Sequence, residues 1–467
     1  MTKTSDASID ALGVFLLFRK HKEEKTMSNN HENILYFETD FDYPLIVKGE
    51  GVYLYDEDGK RYIDGCAGSI STSLGYGRKD MAEVLAKQAE EISFVHRHHV
   101  SSKIVNEATD TLKKNFPTMD KFFLVSGGTE ATECATKLAR LHFYQQGKPQ
   151  KNKIIGRWMS YHGYTTDALA YGGNPGRRKE FAAILREDGH IMPPYCYRCW
   201  AGKEPGSCAM ECAKQLETQI LTAGPDTVAA FICETVVGTT MGCVTPPKEY
   251  YKTIREICDK YNVLMILDEV MCGSGRTGSM MAIEQYGVVP DIVALAKSLG
   301  GGYFPIGCVA CKKEVAKPIE DAGGFPVGHT WAGNPIASAV VKKTLEVIED
   351  EKLLDNVNKE GNHLRCKLEA LKEKYPFIGD VRGMGLMQAI EIVKDKKTKE
   401  CYPRSERIAE KIFRECMKNG LIIMTSVNMD RGVQGDAIMI GTSFDVKEAE
   451  IDELVDILEK SLIAVLG

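Results

Sequence analysis

The chain of 467 residues carries 59 lysines and arginines against 65 aspartates and glutamates, a formal net charge of −6 at pH 7. With 43% hydrophobic and 27% charged residues, the composition is typical of a globular protein and argues against intrinsic disorder. A mildly acidic chain is poorly suited to binding nucleic-acid phosphates or anionic membranes, so neither is an expected partner. The 15 cysteines are scattered through apolar segments, which favours reduced thiols over a disulfide scaffold.

The N-terminal residues 1–26 are expected to form a disordered extension, and Met27 is an equally good start of the chain. The apolar run Ala11–Phe18 lacks the basic flank and the small-residue cleavage site of a signal peptide. No stretch approaches the roughly 20 apolar residues that span a bilayer. We therefore expect a cytoplasmic protein.

The elements predicted along the chain are of two kinds. Residues 43–64 predict short strands broken by a turn at Asp56–Gly59. From about Lys121, apolar runs alternate with helical patterns, which is typical of a parallel sheet with crossover helices. The predicted strands are Lys121–Val125, Lys153–Met159, Val228–Cys233, Val263–Leu267, Ile292–Ala296 and Cys308–Cys311. Beyond about Ala337, amphipathic helices and a strand near Gly385–Val393 indicate an α+β unit.

The predicted fold class is therefore α/β, with a mostly parallel central sheet in a large domain and a smaller α+β domain. The large domain is expected to span residues 66–336. The smaller domain takes residues 337–467, and residues 27–65 are expected to join it.

Two motifs follow predicted strands, at the edge where open α/β sheets bind ligands. The glycines of Ser126–Glu130 precede a helix and favour a phosphate site, although a tight turn capped by Thr129 explains them equally well. Tyr161 follows the next strand. Its ring can cover the face of a planar ligand or simply pack in the core.

Two charged residues at strand ends narrow the chemistry. Asp268 ends an apolar strand, where a carboxylate needs a donating partner, with an ion pair or a helix cap as plainer alternatives. Lys297 follows another such strand. Desolvation there would lower its pKa and make it nucleophilic, unless the side chain simply extends into solvent. A phosphate cradle, an aromatic platform, a carboxylate and a lysine are together what pyridoxal phosphate requires.

Five segments, in this order and spacing, resemble the class III pyridoxal-phosphate aminotransferases, the ω-aminotransferase group of fold type I: FFLVSGGTEATECATKLAR, YHGYTTDALAYGG, LDEVMCGSGRTG, ALAKSLGGGYFPIG and GHTWAGNPIASA. The resemblance runs from about Tyr43 to the C-terminus. It implies a fold type I transferase that uses pyridoxal 5′-phosphate. It also implies a homodimer with shared active sites, and leaves a tetramer open.

The resemblance also implies a role for particular residues. Asp268 would pair with the pyridine nitrogen, and Lys297 would form the Schiff base, which makes these two the catalytic pair. The remaining cofactor contacts would be Gly128 and Thr129 on the phosphate, Tyr161 and Val270 on the two ring faces, and Thr330 reaching the phosphate from the neighbouring subunit. The implied substrate pocket is bordered by Ser69, Ile70 and Glu234.

The chain departs from the family pattern in ways that bear on the substrate. Met271 stands where the family has a glutamine that contacts the cofactor's 3′-oxygen, and Thr235 replaces a proline. Many members carry a C-terminal arginine that clamps the substrate carboxylate, but Ala437–Thr442 has none, and Arg382 is expected to be structural. This weakens acetylornithine, ornithine and 4-aminobutyrate as substrates, and favours an amine, an ω-amino acid or an unusual acceptor.

A run of cysteines offers a separate hypothesis. Cys196, Cys199, Cys208 and Cys212 have the spacing C-x2-C-x8-C-x3-C, which is compatible with four thiolates around zinc. A loop of reduced cysteines that packs between domains is the favoured alternative, so no metal is expected.

The function predicted from these residues is amino transfer from an amine or ω-amino acid to a keto acid such as pyruvate or 2-oxoglutarate. An amino-acid or amino-lactam racemase, or a dialkylglycine-type decarboxylase, stays open because these enzymes share the fold and the same residues. A non-catalytic relative is disfavoured, since Lys297 and Asp268 are both retained.

Overall fold

The computed structural model describes residues 30–204 and 206–467. These residues form two compact units, one of residues 30–48 and 55–60 and the other of residues 49–54 and 61–467. The predicted extension of residues 1–26 lies outside the described part, and the predicted domain boundaries stay a prediction. The strands expected within residues 43–64 are present as β1 (Ile46–Glu50), β2 (Tyr53–Asp56) and β3 (Arg61–Asp64).

The central sheet is mostly parallel, as the sequence predicts. Its strand order is β4-β11-β10-β9-β8-β5-β6, and β7 also pairs with β5. Of these strands β11 runs antiparallel to both of its neighbours. The bounds are β4 Lys121–Val125, β5 Lys153–Trp158, β6 Gly172–Gly173, β7 His190–Ile191, β8 Val228–Glu234, β9 Leu264–Asp268, β10 Ile292–Leu295 and β11 Gly307–Cys311.

The middle strands form because their side chains are apolar without alternation. Every residue of β8, β9 and β10 is buried, which is the pattern of parallel strands covered by helices on both faces. The helix Gly128–Gln145 packs against β10 and β11 through small residues such as Ala131, Ala135 and Ala139. This helix begins at Gly128, because Gly127 is extended and serves as its N-cap.

A second sheet is antiparallel and lies wholly in the C-terminal part of the chain. Its order is β12-β13-β16-β15, with bounds β12 Ile378–Met384, β13 Met387–Ile392, β15 Met424–Asp430 and β16 Gln434–Ile440. The single strand predicted near Gly385–Val393 is thus one arm of a hairpin that turns at Gly385, where φ is +52°. The short strand β14 (Leu421–Ile422) pairs in parallel with β3.

Helices cover the sheets and connect the strands. The long helices near the C-terminus follow the predicted amphipathic segments. The α-helices are α1 Ala67–Ile70, α2 Lys79–Glu91, α3 Lys103–Asn115, α4 Gly128–Gln145, α5 Thr166–Tyr171, α6 Pro175–Arg178, α7 Glu211–Ala223, α8 Glu249–Lys260, α9 Lys313–Asp321, α10 Pro335–Asp350, α11 Leu353–Lys374, α12 Ile408–Lys418 and α13 Glu448–Leu466. Within residues 30–204 and 206–467, none of the helices has the length and apolarity to cross a bilayer.

Candidate active site at the carboxyl ends of the central strands

The parallel strands bring their carboxyl ends to one edge of the sheet, and four of the predicted site residues, Tyr161, Glu234, Asp268 and Lys297, lie there. Asp268 ends β9, and in the strand register it faces Glu234 of β8 on one side and Ala294 of β10 on the other. Lys297 follows β10 by two residues. Tyr161 follows β5, which neighbours β8. The strand order therefore gathers residues as distant in the chain as Tyr161 and Lys297.

Lys297 extends towards the loop that carries Ser69. Its Nζ donates to the Ser69 backbone oxygen at 2.8 Å and lies 3.4 Å from the Ser69 hydroxyl. Burial lowers the pKa of this lysine, the charge of Arg276 acts in the same direction, and Asp268 opposes both. The backbone at Lys297 is also strained, with φ at +47°, a conformation that the surrounding structure must enforce. A desolvated amine held in one position can act as a nucleophile and as a base.

Asp268 is held on both of its carboxylate oxygens. The backbone nitrogen of Val270 donates to Oδ1 at 2.9 Å, and Nδ1 of His162 donates to Oδ2 at 2.8 Å. Both side chains are buried, with 0% of His162 and 5% of Asp268 exposed. The two contacts fix the orientation of the carboxylate. Its oxygens keep further lone pairs that can accept from another donor.

Glu234 is buried beside His162 and Asp268 and links Tyr161 to Arg157. Its Oε1 accepts from the Tyr161 backbone nitrogen at 3.2 Å, and its Oε2 lies 3.4 Å from the guanidinium of Arg157. Arg157 also donates to the Glu234 backbone oxygen at 2.8 Å. Burial raises the pKa of the Glu234 carboxyl. The carboxylate thus orients the Tyr161 backbone, a role that the sequence alone does not reveal.

The glycines after β4 allow close packing around the predicted phosphate cradle. A Cβ on Gly128 would lie 2.8 Å from Cγ1 of Val270, so glycine is required for this approach. A Cβ on Gly163 would lie 2.7 Å from Oγ1 of Thr129. Gly128, Thr129 and Val270 are therefore neighbours, and each is half-buried.

Ser69 and Ile70 lie on an irregular turn that Asp64 organises. The backbone nitrogen of Gly68 and the hydroxyl of Tyr76 each donate to Asp64 Oδ2 at 2.6 Å. Ser69 is exposed, whereas Ile70 is 0% exposed and its Cδ1 would be 2.7 Å from a Cβ on Gly441. Of these two predicted pocket residues, Ser69 contacts Lys297 and Ile70 packs into the core.

Thr330 is exposed and makes no hydrogen bond to the other predicted site residues within the described part of the chain. Met271 is half-buried, and its sulfur would lie 2.7 Å from a Cβ on Gly238. Arg382 is engaged on every side. It donates to the Gly242 backbone oxygen at 2.6 Å and contacts Glu391 at 2.6 Å, which fits the structural role expected of it.

The loop that carries the four clustered cysteines is held by Tyr195 and Arg198 and not by its thiols. Tyr195 and Arg198 both donate to the fully buried Glu391 of β13, the latter at 2.6 Å. The four thiols, of Cys196, Cys199, Cys208 and Cys212, are unpaired and partly buried. Over residues 30–204 and 206–467, the structure assembles no group of three or more ligating side chains that could hold a metal ion.

Three residues of the site were missed by sequence reasoning: His162, Arg157 and Asp64. His162 had a usable signal, because it follows Tyr161 directly after a strand end. Arg157 sits inside an apolar strand, where a charged residue signals a buried partner. For Asp64 the sequence offers no comparable signal, since its partners come from a turn and from Tyr76.

Known proteins resemble this chain along most of its length. The sequence pattern of the family "Aminotransferase class-III" matches residues 37–462. The chain is 33% identical over 425 residues to the putrescine–pyruvate aminotransferase of Pseudomonas aeruginosa, covering 90% of each chain. It is 35% identical over 436 residues to the taurine–pyruvate aminotransferase of Bilophila wadsworthia, covering 91% of this chain and 93% of the relative.

Solved structures show the same likeness in three dimensions. An (S)-enantioselective ω-transaminase from Thermomicrobium roseum superposes with a TM-score of 0.85 at 35% identity, covering 91% of this chain and 93% of that one. A PLP-bound amine transaminase from an uncultivated Pseudomonas species reaches 0.87 at 29% identity, covering 94% and 100%. This chain therefore belongs to the class III aminotransferases and has their fold type I architecture.

Proposed function

We propose that this protein moves an amino group from an amine or ω-amino acid to a keto acid, pyruvate or 2-oxoglutarate, through Lys297. The observation that carries the proposal is the desolvated amine of Lys297, held on the Ser69 carbonyl next to the buried Asp268. Two relatives are named for putrescine and taurine as donors and for pyruvate as acceptor. Both donor names describe primary amines at a chain end, which supports this substrate class.

Class III aminotransferases depend on pyridoxal phosphate, and the residues present fit this group. Lys297 is bonded to a backbone carbonyl, and within the described residues no carboxylate lies at ion-pair distance from its amine. Asp268 is fixed by two donors and keeps lone pairs for a pyridinium nitrogen. Gly128 and Thr129 stand at the start of a long helix, where backbone nitrogens attract phosphate. Tyr161 and Val270 would take the two ring faces.

The cofactor would supply a covalent site for the substrate nitrogen and an electron sink for the bond that breaks. The chain's own residues provide the proton chemistry. Lys297 Nζ, whose pKa burial lowers, can accept the proton of the amine-bearing carbon and return one at a neighbouring position. Asp268, held by His162, would keep the pyridine nitrogen protonated.

A homodimer with shared active sites is part of the proposal. Thr330 is exposed, which leaves it available to reach the phosphate of a neighbouring subunit. Trp331 is 54% exposed beside it and packs edge-on against Phe94 at 5.4 Å. The two exposed rings, Phe94 at 39% and Trp331 at 54%, form a joined apolar patch, and such patches mark surfaces that a partner covers.

The test is a half-reaction without a keto acid. Holoprotein mixed with a donor should lose the absorbance of the lysine–cofactor bond and gain that of the amino form of the cofactor. Lys297→Ala should abolish turnover, whereas Lys313→Ala, which removes an exposed lysine, should not affect it.

The remaining outcomes separate the alternatives. If the absorbance is unchanged while a substrate is racemised or decarboxylated, the protein is a racemase or decarboxylase instead. Full turnover by Lys297→Ala, or no lysine–cofactor bond in the wild-type protein, would refute the proposed function.

A further inference from the structure

The keto acid of the proposed reaction must bring a carboxylate into the site, and a cation must receive it. Moving a carboxylate out of water is costly unless a donor of opposite charge replaces the lost hydration. The C-terminal segment, Ala437–Thr442, provides no charged side chain for this purpose, and all six of its residues are buried. The receiving cation must therefore come from another element.

Four other arginines near the strand ends are buried. Arg157 is fully buried and bound to Glu234. Arg178 pairs with Glu187, and Arg382 pairs with Glu391. Arg276 is fully buried against the carbonyls of Leu386 and Thr442, and burial lowers its pKa to about 9. None of these four side chains presents its guanidinium to solvent, so none is open to a substrate carboxylate.

Arg177 differs from these four in its exposure. It is exposed at the end of α6, and its guanidinium carbon lies 4.5 Å from the centroid of the Tyr161 ring. In the part of the chain that the structure describes, no carboxylate forms an ion pair with it. Contact with an aromatic face holds a guanidinium in place and leaves its N–H edge free to donate. Arg177 thus lies on the Tyr161 ring, beside the predicted cofactor site, with N–H groups that are free to bind a carboxylate.

We propose that Arg177 binds the carboxylate of acid-bearing substrates, both keto acids and ω-amino acids, through bidentate hydrogen bonds. The proposal rests on the proposed amino transfer, and it assigns substrate recognition to helix α6 instead of the C-terminal segment. A guanidinium matches the planar geometry of a carboxylate, and a charged pair of this kind is stronger than a neutral hydrogen bond. Amines without a carboxylate would use the site without engaging Arg177.

The test compares two donors that differ by the carboxylate alone, β-alanine and propylamine, in the half-reaction of the holoenzyme. Arg177→Gln should raise KM for β-alanine and for pyruvate by about 10- to 100-fold. KM for propylamine should stay within about twofold. Lys179→Gln is the matched control, because it removes an exposed charge two residues away and should change neither donor.

A binding measurement gives a readout independent of turnover. Propionate cannot donate an amino group, and calorimetry on the wild-type holoenzyme should show that it binds. Arg177→Gln should weaken this binding by about tenfold or more, while Lys179→Gln leaves it unchanged. A thermal melt of each variant confirms that the exposed substitutions leave the fold intact.

Several results would overturn the proposal. Equal losses for β-alanine and propylamine would make Arg177 a structural residue. Propionate affinity that is unchanged in Arg177→Gln would place the carboxylate elsewhere. So would a loss for β-alanine but not propylamine that appears in Arg431→Gln instead. Arg431 is the relevant comparison because its side chain is 62% exposed and its neighbour Gly432 approaches the start of α6. If the wild-type holoenzyme transfers an amino group from no amine or ω-amino acid, it is the proposed amino transfer that fails, and propionate binding still tests Arg177.

Discussion

Nδ1 of His162 lies 2.8 Å from Oδ2 of Asp268, and both side chains are buried between the ends of β5 and β9. The second imidazole nitrogen has no hydrogen-bond partner within the described residues. The ring is therefore held by its contact with the carboxylate and by packing. This contact fixes the orientation of Asp268, so His162 is a positioning residue for whatever donor Asp268 receives.

Replacing His162 should weaken the cofactor site through Asp268. His162→Ala is expected to lower pyridoxal phosphate affinity by about tenfold, since a buried charged hydrogen bond is lost. It should also shift the pH dependence of the lysine–cofactor absorbance. His162→Asn can keep a donor near the Nδ1 position and should restore part of both properties. Equal behaviour of the two variants would show that Asp268 does not depend on this hydrogen bond.

Gly128→Ala should disturb the cofactor site by displacing Val270. The added Cβ would lie 2.8 Å from Cγ1 and 3.3 Å from Cγ2 of Val270, so either the Val270 side chain or the backbone at residue 128 must move. We expect cofactor affinity to fall by about tenfold, by equilibrium dialysis, on the scale of overpacking effects. The double variant Gly128→Ala/Val270→Ala removes the clashing methyl groups. If it binds cofactor no better than Gly128→Ala, displacement of Val270 is not the cause.

The rate at which the cofactor attaches to Lys297 should depend on pH with a midpoint below the pKa of an ordinary lysine. Burial lowers the pKa from its usual 10.5, and the neutral amine is the reactive form. The rate at which apoprotein gains the lysine–cofactor absorbance should therefore rise with pH and level off below pH 10.5. Borohydride reduction and peptide mapping should locate the bond at Lys297. A midpoint at or above 10.5 would contradict a desolvated amine.

Glu269 should make stability fall as pH rises towards neutrality. Burial raises its pKa from 4.5 to about 7, although Thr235 and two backbone nitrogens, of Ala282 and Ile283, donate to it. Between these values the folded state binds more protons than the unfolded state. The free energy of unfolding should therefore drop by about 3 kcal/mol between pH 4.5 and pH 7 on account of this group.

Urea unfolding at several pH values measures this contribution. Glu269→Gln does not titrate, so its stability should depend less on pH in that window, even if its absolute stability is lower. An unchanged pH dependence in the variant would assign the effect to another group.

Much of the central sheet could be predicted from the sequence. The apolar runs at Lys121–Val125, Val228–Cys233 and Ile292–Ala296 correspond to β4, β8 and β10 within one residue. Strands buried on both faces must be apolar at nearly every position, and such runs are visible locally. The antiparallel C-terminal sheet was largely missed. Its strand β12, with the sequence IGDVRGM, contains two glycines and two charged residues and pairs only because β13 lies beside it.

Local sequence patterns place Lys297, Asp268, Tyr161 and the glycines before Thr129 at strand ends, and this is enough to propose them for the chemistry. How these residues are held depends on contacts between distant segments, which the sequence does not show. His162 reaches Asp268, Glu234 holds the backbone of Tyr161, and Arg177 covers its ring. These contacts join segments that become neighbours through the strand order, and strand order depends on packing between distant parts of the chain.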